Sequence, residues 1–90
     1  MPFEGMDVAE VDSIGHQLQG QADEIEKVIG RINGLVAQLQ GVWHGKDAQD
    51  FEGWWHNQHQ PALRAAHDAI HGLGQSAINN ARDQQAASGR

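Results

Sequence analysis

The chain contains no cysteine, threonine or tyrosine, and each absence removes a class of chemistry. Without thiolates there is neither a disulfide to staple a small fold nor a cysteine-based metal site. Ser13, Ser76 and Ser88 are then the only hydroxyl side chains, and none stands in a glycine-rich elbow of the kind that exposes an activated nucleophile. Phosphate-cradling loops and dinucleotide fingerprints are also missing. The carboxylates Asp23, Glu24 and Glu26 read as the solvated face of a helix, not as a paired acid and base. The chain therefore reads as a non-enzyme, with no cofactor, no metal and no small-molecule substrate.

Positive charge is scarce as well. Six Lys and Arg stand against twelve Asp and Glu, a net charge of −6, which argues against nucleic acid or an anionic membrane as partner. No apolar run approaches the ~18 residues of a spanning helix. The opening Met1-Pro2-Phe3-Glu4-Gly5 has no basic stretch followed by an apolar one, so no general secretory signal peptide is expected. Ninety residues suit one domain with a small core, and a lone pair of helices of that size is marginal without association.

What is present is helical periodicity on both sides of Val42-Trp43-His44-Gly45-Lys46. Neither stretch crosses this segment. Trp43 ends one arm, and Gly45 provides the backbone freedom of a tight reversal. On the N-terminal side Asp7 and Glu10 resemble a capping box. Beyond them Val11, Leu18, Ile25, Ile32 and Leu39 form one heptad column, and Ile14, Val28, Leu35 and Val42 form another, broken only by Gln21. A third column, Gly15, Ala22, Ile29, Val36 and Trp43, widens the stripe beyond a two-column seam. A stripe that wide expects more than one neighbour, its own second helix and another molecule. Gly20, Gly30, Gly34 and Gly41 fall in outward columns.

On the C-terminal side the stripe Ala48, Phe51, Trp55, His59, Ala62, Leu63, Ala66, Ile70, Leu73 and Ala77 keeps its phase. Pro61 lacks the N–H of a continuous helix, so a kink is expected at 57 to 61. Trp54 points outward while Trp55 points inward, because neighbours diverge by about 100°; Trp54 is a candidate docking residue. His56 and His59 fall in the apolar columns and are expected to be partly buried, which would loosen the assembly on acidification. His67 and His71 share a helical face at a zinc-compatible spacing, but two ligands make no site.

The run Trp43-His44-Gly45-Lys46-Asp47-Ala48-Gln49-Asp50-Phe51, with Trp55 beyond it, resembles the WXG-motif family of small ESAT-like helical hairpins, substrates of type VII secretion. The resemblance implies that Trp43 and Gly45 are the turn and secretion motif. It also implies a C-terminal export signal of Tyr-x-x-x-Asp/Glu form, for which the matching window is Asn79 to Asp83; Asp83 fits the acidic position, and Asn79 replaces the tyrosine. Implied partners are a second copy or a related WXG-motif protein, and a secretion ATPase; the implied destination is outside the cell, after synthesis in the cytoplasm.

The expected fold is an all-α antiparallel hairpin over residues 1–90, with helix 1 about 7–41, a turn at 42–45, helix 2 about 46–84 and a loose tail at 85–90. Two such hairpins complete a four-helix bundle, with Ile14, Leu18, Ile25, Val28, Ile32 and Leu35 at the dimer interface. Two other classes compete, an intracellular chaperone or adaptor for a larger toxin-like partner and a histidine-rich metal-binding module.

Overall fold

The computed structural model describes residues 5–88. Helix α1 runs Val8–Val42, and its start follows from Asp7. The Asp7 carboxylate accepts the Glu10 backbone N–H at 3.1 Å, and its carbonyl accepts that of Val11 at 2.9 Å. Free N–H groups at the helix start are thereby satisfied, and Glu10 in the first turn faces the positive end of the helix dipole. No proline interrupts the following residues, and α1 ends at the turn.

The chain reverses at Gly45, whose φ of 111° and ψ of −173° lie where a Cβ is strained. Its carbonyl accepts the Gln49 N–H at 3.1 Å, the first bond of α2, Lys46–Trp54. A π turn, Trp55–His59, follows without a break, with the Gln60 N–H donating to the Trp55 carbonyl five residues back. Helix α3 then runs Gln60–Ser88. Residues 85 to 88 are therefore helical instead of loose; residues 89 and 90 lie outside the described residues.

The π turn corrects the second helical stripe. Its buried or half-buried row is Ala48, Glu52 and Trp55, then Gln60, Leu63, His67, Ile70, Gly74, Ile78 and Ala81. Steps of three and four hold along it except between Trp55 and Gln60, where the step is five, the extra residue of one i→i+5 turn. The phase shifts there. His59, Ala62 and Leu73, expected on the core stripe, are exposed as a result; Phe51, which precedes the π turn, is exposed as well, with Glu52 in its place on the row.

The chain forms two compact units. In the turn unit, Asp23–His67, Ile29, Val36 and Trp55 make the core, with Ile25, Ile32 and Leu63 packed on it. The helices run antiparallel: Gln40 meets Glu52, Asn33 meets Trp55 and Glu26 meets Arg64. The other unit joins Met1–Ala22 to Asp68–Arg90, and it buries Ala22, Ile78 and Ala81. Its helices approach so closely that a Cβ on Gly74 would stand 2.6 Å from the Gly15 carbonyl oxygen, and one on Gly15 would stand 2.9 Å from that of Gly74. The third apolar column of α1, Gly15 to Val36, is thus buried in both units, small residues in one and Ile29 and Val36 in the other.

Candidate functional site

At the turn, Trp43 is only half covered. Its ring lies 5.6 Å from that of Phe51, tilted by 57°, an edge-and-face geometry that suits the two ring quadrupoles. Lys46 and Asp50 pair at 2.9 Å on the exposed surface of the first turn of α2, and Asp47 there complements the helix dipole. Trp43 and Gly45 therefore divide the work: the glycine makes the reversal, and the tryptophan presents an aromatic face beside it.

In the turn unit the two flanks of the helix pair differ in chemistry. On one flank the Trp55 indole N–H donates to the Asn33 side-chain oxygen at 2.8 Å. The Arg64 guanidinium donates to both oxygens of Glu26 at 3.0 and 3.3 Å, and Gln40 donates to Glu52. Glu26, Asn33 and Gln40 recur every seven residues, so one polar column of α1 bonds across to the second arm at each rung. Gln19, one heptad earlier in the same column, donates to Gln75 at 3.1 Å in the other unit. Sequence reasoning missed this column. Its signal was available in the seven-residue spacing of side chains that all donate or accept.

The opposite flank is apolar and uncovered. Val28, Leu35 and Val42 are exposed there, Leu35 to 58% and Val42 to 80%, while Ile25, Ile32 and Leu39 of the adjoining column are half-buried. From the second arm come Phe51 and Trp54, the latter 53% exposed, whereas Trp55 is 7% exposed. A groove of about 310 Å³ opens among Ile32, Val36, Phe51, Trp54, Trp55 and His59. In the other unit Ile14 and Leu73 are exposed and Leu18 is half-buried. All the residues expected at a dimer seam are thus wholly or partly open to solvent.

The histidines stand differently from expectation. His56 and His59 are exposed, because the π turn swings this segment off the buried row, and the burial on which an acid-sensitive core depended is absent. His67 is the half-buried one, with Nε2 3.7 Å from Glu26 Oε2. Among the described residues no three His, Cys, Asp or Glu side chains gather in a metal-holding group, and no helix is long and apolar enough to cross a membrane. Asn79 and Asp83 are exposed on α3, where the Asn79 side-chain oxygen accepts from Gln75 at 3.0 Å.

Comparison with known proteins agrees with this architecture. The family WXG100, described as proteins of 100 residues with WXG, matches residues 5–87. Among solved structures the chain is similar to EsxA of Geobacillus thermodenitrificans, crystal form I, with a TM-score of 0.72 and 22% identity over 92% of this chain and 96% of that one. No curated protein matches it in sequence. The structural likeness shows the all-α hairpin fold, and the family match extends over nearly the whole chain: this protein belongs to the WXG100 family, the ESAT-like helical hairpins of type VII secretion.

Proposed function

We propose that the protein is a substrate of a type VII secretion system, made in the cytoplasm and exported without a cleavable signal peptide. It works by pairing: the open apolar flank takes a second hairpin, a copy or a related WXG protein, to complete a four-helix bundle. The observation that carries this reading is the contrast between flanks. One is closed by bonds from Glu26, Asn33 and Gln40, and the other leaves Val28, Leu35 and Val42 in water. An apolar column of that length is the mark of an interface. Ile14, Leu18, Ile25, Val28, Ile32 and Leu35 are the seam, and Trp54 borders it as a docking residue.

The secretion ATPase reads the turn, through Trp43 and Gly45; with asparagine at 79 where the motif has tyrosine, this chain supplies the turn half of the signal and the pairing partner supplies the complete tail, Asp83 adding a lesser part. Trp43 touches one ring, that of Phe51, so its loss leaves the buried cluster of Ile29, Val36 and Trp55 intact. Trp43→Ala should abolish export while circular dichroism and the unfolding midpoint stay near those of the wild type. Asp83→Ala should reduce export less. Export of Trp43→Ala at the wild-type level would remove the turn from the signal.

A further inference from the structure

We propose that Asn33-Gly34 is a modification site gated by the fold: when the turn unit opens, the Gly34 backbone nitrogen attacks the Asn33 side chain and deamidates it, and the product keeps that unit from closing again. Asn33 is the one asparagine of the chain that precedes a glycine; Asn57, Asn79 and Asn80 precede Gln58, Asn80 and Ala81. With no Cβ on the attacking residue, its nitrogen reaches the neighbouring carboxamide unhindered, so in an open chain this is the most labile asparagine.

Packing gives no reason for a glycine at 34. The position is exposed, a Cβ there would meet nothing within 4 Å, and glycine weakens a helix interior. Asn33 beside it is half-buried, and its side-chain oxygen accepts the Trp55 indole N–H at 2.8 Å. In the closed hairpin that bond turns the carboxamide toward the second arm, while α1 holds the Gly34 N–H in its i→i−4 ladder. Nucleophile and electrophile face different ways, and geometry alone stops the reaction.

Opening releases both groups. The Gly34 nitrogen gives up its proton and bonds to Asn33 Cγ, the Cγ–Nδ2 bond breaks, and ammonia leaves with a proton, which closes a cyclic imide. Water then adds to one of the two ring carbonyls and the ring C–N bond at that carbon breaks. Addition at Cγ restores the main chain with aspartate at 33; addition at the backbone carbonyl carbon leaves the main chain running through Cγ, as isoaspartate. The sum is amide plus water to carboxylic acid plus ammonia. Isoaspartate adds a methylene to the backbone in the middle of α1, which breaks the helix ladder there, and it displaces the acceptor of an indole N–H on a residue only 7% exposed. The turn unit, whose core is Ile29, Val36 and Trp55, loses helix and core bond together, so a chain that has opened is marked for good.

The test incubates the full chain at mildly alkaline pH, folded in buffer and unfolded in guanidinium chloride, and follows the tryptic peptide from Ile32 to Lys46 by mass and by isoaspartate methyltransferase labelling. Conversion at Asn33 should be slower in the folded chain by about tenfold or more, because only its open fraction reacts. Gly34→Ala should slow the unfolded reaction by about tenfold, through the added Cβ. After removal of denaturant, the purified isoaspartate form should fail to regain wild-type helicity and unfolding midpoint, whereas chains taken through the same steps without conversion regain both. Equal rates in the folded and unfolded chain overturn the gate. Faster conversion at Asn57, Asn79 or Asn80, or an unfolded rate unchanged by Gly34→Ala, overturns the site. An isoaspartate form that refolds like the wild type overturns the lasting mark.

Discussion

Glycine has opposite meanings at different positions of this chain, and the backbone explains why. Gly45 holds φ at 111°, so Gly45→Ala should lower stability by about 1–3 kcal/mol, read in urea unfolding. Gly74 stands against the Gly15 carbonyl, and Gly74→Ala must push the two backbones apart, with a loss of at least about 1–3 kcal/mol. A Cβ on Gly30 meets nothing within 4 Å. Gly30→Ala should therefore raise stability by about 1 kcal/mol, through better helix propensity and a less disordered unfolded chain. A Gly30→Ala variant less stable than the wild type would mean that something covers this face of α1. The same residue-level contrast separates Trp54, in solvent, from Trp55, whose indole is bonded to Asn33; the 100° divergence of neighbouring residues makes that difference readable from sequence.

The π turn is the element that sequence patterning could not disclose. Trp55, His59 and Leu63 are spaced by four, which imitates an unbroken α-helix, and histidine is amphipathic enough to pass as a half-buried member. The true row skips from Trp55 to Gln60, and Pro61 follows directly, where a lost N–H is tolerated best if the ladder is already disturbed. Deleting Asn57 together with Pro61→Ala should convert this segment to ordinary α-helix, keep the row Leu63, His67, Ile70, Gly74 in register and leave the thermal midpoint unchanged or higher. Deleting Ala69, inside a regular stretch, should turn Gly74, Ile78 and Ala81 off the buried row and destroy cooperative unfolding. Equal damage from both deletions would show that the π turn is not an absorbed extra residue. By contrast, α1 was readable in extent because its cap, heptads and turn agree. Which of its three apolar columns faces the second arm was not, since isoleucine and valine populate all three and only the small residues Gly15 and Ala22 hint at close approach.

Among the described residues the buried apolar set is Ala22, Ile29, Val36, Trp55, Ile78 and Ala81, and a helix pair with so small a core gains much of its stability from what it binds. The ion pair of Arg64 with Glu26, half exposed on both sides, contributes no more than about 1 kcal/mol, so the polar flank orders the two arms more than it strengthens them. Membership of the WXG100 family and the open column of Val28, Leu35 and Val42 are the two grounds of the proposed pairing and export. Export is tested most directly by quantifying the untagged native protein in the culture filtrate of its own host, with the secretion ATPase intact and with it deleted, against a cytoplasmic lysis marker. The protein should accumulate in the filtrate of the intact strain and disappear from that of the deletion strain while remaining in its cells. Equal amounts in both filtrates, or retention in the cells of both strains, would contradict a type VII substrate.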